Sequence, residues 1–174
     1  MATTEMEAPA RTRTHAWDDP RVGAGAARTL SGLEYLRAIA SGEVPLPPIL
    51  GTLGIGGAEF EEGRAVFWTD PAEFHYNAIG TVHGGLAATL CDTALGCAVH
   101  STLPAGAGYT TLELKVNFLR PLSVDTGRVF CEGRVVHVGG RVATAEARVT
   151  DAAGKLYAHA TTTCMVFRPG APEG

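Results

Sequence analysis

What this chain has little of narrows it first. Its four cysteines, Cys91, Cys97, Cys131 and Cys164, form no Cys-x-x-Cys pair and stand at no metal-ligand spacing from a histidine. That argues for buried free thiols over ligands or disulfides, and no metal is expected. No apolar run approaches the roughly 18 residues of a membrane span, and Met1 to Arg13 lacks an apolar signal-type segment. A cytoplasmic protein with no membrane contact is the expectation. A basic excess is also missing: the net charge of −4 argues against a nucleic-acid partner. Charged residues make up only 18% against 45% hydrophobic, which suits a globular chain with few disordered tracts and a buried subunit interface. Its 174 residues are enough for one domain with a sizeable core. The charge is uneven, with six Lys/Arg and twelve Asp/Glu over residues 1–106 and eight and six over 107–174. The C-terminal part is therefore the better place for an anionic ligand's phosphates.

The rest of the chain is organised around the stretch from Asn77 to His100. A polar loop, Asn77 to Val82, runs into His83-Gly84-Gly85, after which Leu86, Leu90, Ala94 and Cys97 recur at near-helical spacing. Gly84 and Gly85 then sit at a helix N-terminus, where backbone N–H groups lack intrahelical partners and the macrodipole is positive. Two glycines leave those donors open to a ligand oxygen, so the position is suited to binding an oxyanion. Asp92 is the helix's only carboxylate, among neighbours that look made for burial, and a carboxylate there needs a reason.

Gly84 and Asp92 are eight residues apart, roughly 12 Å along a helix axis. A reacting carbonyl must lie about 3 Å from both its oxyanion donors and its base, so one helix cannot supply both. A two-fold dimer with antiparallel helices can, and it makes two identical sites. The spacing therefore predicts a homodimer whose sites are shared between subunits.

The combined pattern Asn77-x-x-Gly80-x-x-His83-Gly84-Gly85, then Asp92, then Asn117-Phe118-Leu119-Arg120-Pro121 at a strand end, closely resembles the hotdog-fold acyl-CoA thioesterases of the phenylacetate-pathway, PaaI-like type. The resemblance spans about residues 48–168. It implies an α+β fold, an antiparallel sheet of about five to six strands wrapped around one long central helix. It implies hydrolysis of an acyl-CoA, possibly an aryl-acyl-CoA, with no cofactor, in a dimer or a dimer of dimers.

Each candidate residue carries a functional and a structural reading. In the resembling family the acid matching Asp92 is general base or nucleophile toward the thioester; alone, it reads equally as a hydrogen-bonded structural carboxylate. Gly84 and Gly85 supply an oxyanion hole or permit close helix packing. His83 is a helix-entry residue or a proton carrier. Asn77 closes the loop through Asx-type bonds, or orients water and polarises the thioester oxygen as the family comparison has it. Thr110 falls where some relatives place a water-positioning hydroxyl and otherwise is an ordinary strand residue. Asn117, Arg120, Gly139, Gly140 and Arg141 lie on the strand end and hairpin where relatives contact CoA. Arg120 and Arg141 are suited to its phosphates or simply to solubility.

Along the chain, residues 1–30 read as a loosely held arm on which Trp17 is placed to dock. Residues 31–47 read as a short helix opened by the capping box Ser31/Glu34, with Leu33, Leu36, Arg37 and Ile39 on one face, ended by Gly42 and a Pro-rich connection. Residues 48–168 form the main domain and 169–174 a tail. Two strands with a turn at Glu61-Glu62-Gly63 are expected from Ile49 to Trp68, then the helix, then a strand with Thr110, Leu112, Leu114, Val116 and Phe118 on one face. Strands from Arg128 to His137, Arg141 to Thr150 and Lys155 to Phe167 follow, with Gly139-Gly140 as a hairpin turn. Two other functions stay open: a hotdog hydratase or dehydratase pairing His83 with Asp92, and a non-catalytic acyl-CoA sensor.

Overall fold

The computed structural model describes residues 10–168; the expected tail and the first nine residues of the arm lie outside them. Three short helices come first, α1 (Pro20–Ala26), α2 (Gly32–Ser41) and α3 (Pro48–Leu53), then strands β1 (Ile55–Glu61) and β2 (Arg64–Thr69). The long helix α4 (Gly84–His100) precedes β3 (Gly108–Phe118), β4 (Val129–Val138), β5 (Val142–Asp151) and β6 (Leu156–Phe167). The six strands form one sheet in the order β1-β2-β4-β5-β6-β3, antiparallel throughout. This is the expected α+β layout, a sheet curved round one helix.

The helix is apolar nearly all round because the sheet wraps it. Leu86, Leu90, Leu95 and Val99 are buried on it, each contributing about 1.5–3 kcal/mol. The strand faces beneath are built small. Gly133 of β4, Ala143, Ala145 and Ala147 of β5, and Ala158 and Ala160 of β6 are buried there, which lets the helix backbone come close. A Cβ on Gly133 would stand 2.5 Å from the Ala94 carbonyl oxygen. On β5 the side chains alternate, with Val142, Glu146 and Arg148 facing out and Thr144 partly so. One stripe of α4 escapes the sheet: Gly85 is exposed, and Ala88, Thr89, Asp92 and Thr93 are half-buried.

Strand β3 departs from simple alternation. The register with β6 shifts between Thr111 and Glu113, and a bulge there adds one residue, Leu112, which is exposed. Before it Tyr109 and Thr111 turn toward the helix; after it Leu114 and Val116 do. The expected single face through Thr110, Leu112, Leu114 and Val116 is thus broken in the middle.

The described N-terminal residues carry one short helix and are tied to the body through Arg13. Asp19 caps α1 by accepting from the Arg21 amide. The Arg13 guanidinium donates to the Thr52 and Gly51 carbonyl oxygens at 2.7 and 2.8 Å and stands over the Phe74 ring. Helix α2 is capped as expected, Ser31 and Glu34 bonding reciprocally and Gly42 turning out at φ +82. It buries Leu36, Ala38 and Ile39 but leaves Arg37 exposed. Where a strand was expected from Ile49, α3 intervenes, started by Pro48 at its first position and stopped by Gly54 at φ +66.

Candidate active site

His83 is the N-cap of α4: its Nδ1 accepts from the Gly85 amide at 2.8 Å, and its own amide donates to the His75 carbonyl. This divides the two glycines. The Gly85 N–H is occupied by the His83 ring, whereas Gly84, the first helical residue, has no intrahelical acceptor and makes no amide hydrogen bond among the described residues. Of the two expected oxyanion donors, Gly84 is the one left free in a single chain. It lines a cleft of about 340 Å³ with His83, Ala87, Phe118, Arg120 and Tyr157. The Phe118 ring lies so close over Gly84 that an added Cβ would meet its Cζ at 3.1 Å.

Asn77 spends its side chain on the loop. Its Oδ1 accepts from the Ile79 and Thr81 amides and its Nδ2 donates to Thr81 Oγ1. These bonds, with Gly80 at φ +79, hold the turn that delivers His83 to the helix.

Asp92 lies two turns further along α4, half-buried, and opens into a different cavity of about 900 Å³. Its Oδ1 accepts from Thr111 Oγ1 at 2.9 Å. That bond fixes the carboxylate rotamer and leaves Oδ2 unengaged. Burial, with the Asp92 charge nearby, pushes the Cys97 thiol up to about 12. Burial likewise holds the Tyr109 phenol well above its ordinary value, Cys97 and Asp92 adding to the effect. Both stay neutral near pH 7, so neither competes with Asp92 for a proton role.

The hydroxyl that meets Asp92 is therefore Thr111, which the sequence reading passed over, while its neighbour Thr110 is exposed on the opposite face. The bulge at Leu112 was the hidden variable. Thr111→Val is expected to lower kcat by about tenfold or more, the worth of a hydrogen bond to a charged group, with KM little changed and Thr111→Ser restoring most of it. Thr110→Val should stay within about twofold. The reverse ranking in steady-state kinetics would reassign the hydroxyl.

The remaining candidates do not all gather here. Arg120 is exposed beside the Gly84 cleft, its guanidinium donating to the Leu156 carbonyl. Asn117 is half-buried, opposite His159 on β6. Gly139, Gly140 and Arg141 sit on the β4–β5 hairpin and line neither the cleft nor the Asp92 cavity. Among the described residues no group of three His, Cys, Asp or Glu is placed to hold a metal, and no helix is long and apolar enough to cross a membrane.

Comparison with known proteins fits this geometry. A family model described as the thioesterase superfamily matches residues 79–158, from within the loop after Asn77 to the first residues of β6. A protein of Halobacterium salinarum assigned as an esterase is 36% identical over 122 residues, 67% of this chain and 79% of its own length. Human acyl-coenzyme A thioesterase 13 is 31% identical over 102 residues, 58% of this chain and 71% of its own. The crystal structure of a phenylacetic acid degradation-related protein of Ralstonia eutropha, assigned as a thioesterase, superposes with a TM-score of 0.66 at 32% identity, covering 75% of this chain and 98% of that one. A six-stranded antiparallel sheet round one helix, joined to likeness of this extent, establishes that the chain belongs to the thioesterase superfamily, in its hotdog-fold, PaaI-like group.

Proposed function

We propose that this enzyme hydrolyses an acyl-CoA thioester at two equivalent sites of a homodimer, each site taking Asp92 from one subunit and the Gly84 amide from the other. The observation that carries the proposal is the separation of the two groups. They lie eight residues apart on one helix and open into different cavities, so neither cavity of a single chain holds both. Two further features support pairing of copies: the half-exposed stripe of α4 that includes Asp92, and β3, which forms an edge of the sheet with Leu112 and Phe118 exposed.

In the proposed reaction the thioester carbonyl oxygen points at the Gly84 N–H, a donor already oriented and aided by the helix dipole, which stabilises the developing oxyanion. Asp92, held through Oδ1 by Thr111, uses Oδ2 to take a proton from water or to attack the carbonyl itself. The C–S bond breaks and the CoA thiolate leaves, picking up a proton. His83 positions α4 through its bond to the Gly85 amide, and Asn77 holds the preceding loop. Arg120, at the mouth of the Gly84 cleft, is the cation best placed to meet a CoA phosphate. A cytoplasmic location is part of the same reading.

Two experiments test it. Thiol release from phenylacetyl-, benzoyl-, short-chain and long-chain CoA esters should show turnover by the native chain, and hydration of crotonyl-CoA without thiol release would point to a hydratase instead. Mixing an Asp92→Ala chain with a Gly84→Val chain, each inactive alone, should restore about a quarter of native activity, because half the dimers are mixed and each has one intact site. Mixtures that dissociate and reassociate yet stay inactive would place the whole site in one chain.

A further inference from the structure

We infer that the cavity beside Asp92 is the acyl-binding chamber, that this chain's own N-terminal segment roofs it, and that it selects uncharged apolar acyl groups of about eight carbons or more. This rests on the thioester-hydrolase reading above.

Three observations carry the inference. The first is size. At about 900 Å³ the cavity lies in the upper part of the range for small-molecule sites. Taking on the order of 30 Å³ per heavy atom, a liquid-like allowance, an acetyl group would leave nearly all of it empty, whereas an eight- to twelve-carbon chain takes a quarter to a third or more. The second is chemistry. Leu36, Ile39, Leu50, Phe60, Trp68 and Tyr109 contribute to its wall; among the described residues its carboxylates are Asp18 and Asp92, and no Lys, Arg or His side chain lines it. A dicarboxylic acyl group would bring a second carboxylate into an apolar chamber with no cation to meet it, which is costly.

The third is where the roof comes from. Helix α2, the Pro45–Pro48 connection and α3 close one side, and Ala16, Trp17 and Asp18 stand at the mouth. The Arg13 guanidinium, bonded to the Gly51 and Thr52 carbonyls, holds that segment down. All of these residues precede the family match at residues 79–158. The cover is therefore built from residues outside that match, on the N-terminal side of the helix that carries Asp92.

Two tests are combined. Both tryptophans of the chain, Trp17 and Trp68, line the chamber, so intrinsic fluorescence reads its occupancy independently of chemistry. In the Asp92→Asn protein, decanoyl-CoA should change the emission saturably, while CoA, acetyl-CoA and succinyl-CoA at the same concentration should not. In the native protein, kcat/KM should rise up to about fourfold per added methylene, the worth of one buried CH₂, from butyryl- to decanoyl-CoA, with succinyl-CoA at or below butyryl-CoA. Ala58→Phe, which narrows the chamber from β1, should lower the decanoyl-to-butyryl ratio by about tenfold or more. Hydrolysis that is flat with chain length, with no decanoyl-dependent fluorescence change, overturns the chamber and leaves the thioesterase reading standing. Saturable decanoyl binding without hydrolysis of any ester supports the chamber and overturns the thioesterase reading.

Discussion

Asp92→Asn is expected to lower kcat by on the order of 10²- to 10⁴-fold, with KM changed by no more than about threefold. Asparagine keeps the shape and accepts the Thr111 hydroxyl bond, so the helix and the 2.9 Å contact survive. It cannot take a proton from water or attack a carbonyl. The loss therefore reports chemistry and not packing, which a thermal melt within a degree or two of the native protein would verify. Single-turnover hydrolysis in ¹⁸O-water tests for a nucleophile: label recovered in the Asp92 carboxyl requires an acyl-aspartyl anhydride opened by water at the Asp92 carbon, whereas a general base puts label only into the product acid. Near-native turnover by Asp92→Asn would remove this residue from the mechanism altogether.

The second large effect is on stability. Gly133→Ala is expected to destabilise the fold by about 3 kcal/mol, the upper part of the usual range for overpacking, and to lower Tm by roughly 6–12 °C. The added Cβ would stand 2.5 Å from the Ala94 oxygen, 2.6 Å from its carbonyl carbon and 2.9 Å from the Leu95 nitrogen. All three are backbone atoms of α4, so no side chain can swing aside; the helix or the sheet must move. Because α4 carries both Gly84 and Asp92, activity should fall along with stability. Gly25→Ala is the control. It lies in α1, its Cβ would meet nothing within 4 Å, and it should be neutral or slightly stabilising. Equal melting temperatures for the two variants would mean that α4 does not sit on Gly133 as described.

Much of this molecule was legible in advance. The α4 helix, its start at His83-Gly84, the α2 capping box and the three C-terminal strands all follow from patterns within a few residues of each other, and each appears within a residue or so of its expected bounds. The distance argument from Gly84 to Asp92 needed only the helical rise, and the two groups indeed open into separate cavities. Where the reading and the structure part, the cause is either a masked local signal or a contact between distant residues. Helix α3 replaces the expected start of a strand because Pro48 and Gly54 punctuate a six-residue turn, a signal the strand-like Ile49 and Leu50 masked. The arm of residues 10–30 is held down by Arg13 on carbonyls some 38 residues away, which no local pattern announces.

The site shows the same division. Sequence alone determined that a carboxylate on the helix, a glycine amide at its start and a loop asparagine before it stand in one stretch, because those placements depend on helix periodicity and on orphaned backbone donors, which are local. Only the tertiary structure decided that His83 takes the Gly85 amide and leaves Gly84 free, since hydrogen-bond competition at an N-terminus depends on the rotamer of the cap. Only it decided that Thr111 and not Thr110 meets Asp92, because one bulged residue reverses which side of a strand faces the core. And only it put an apolar chamber under a roof folded back from the N-terminus, because a cavity is made of surfaces far apart in the chain, which their order does not bring together until the fold closes.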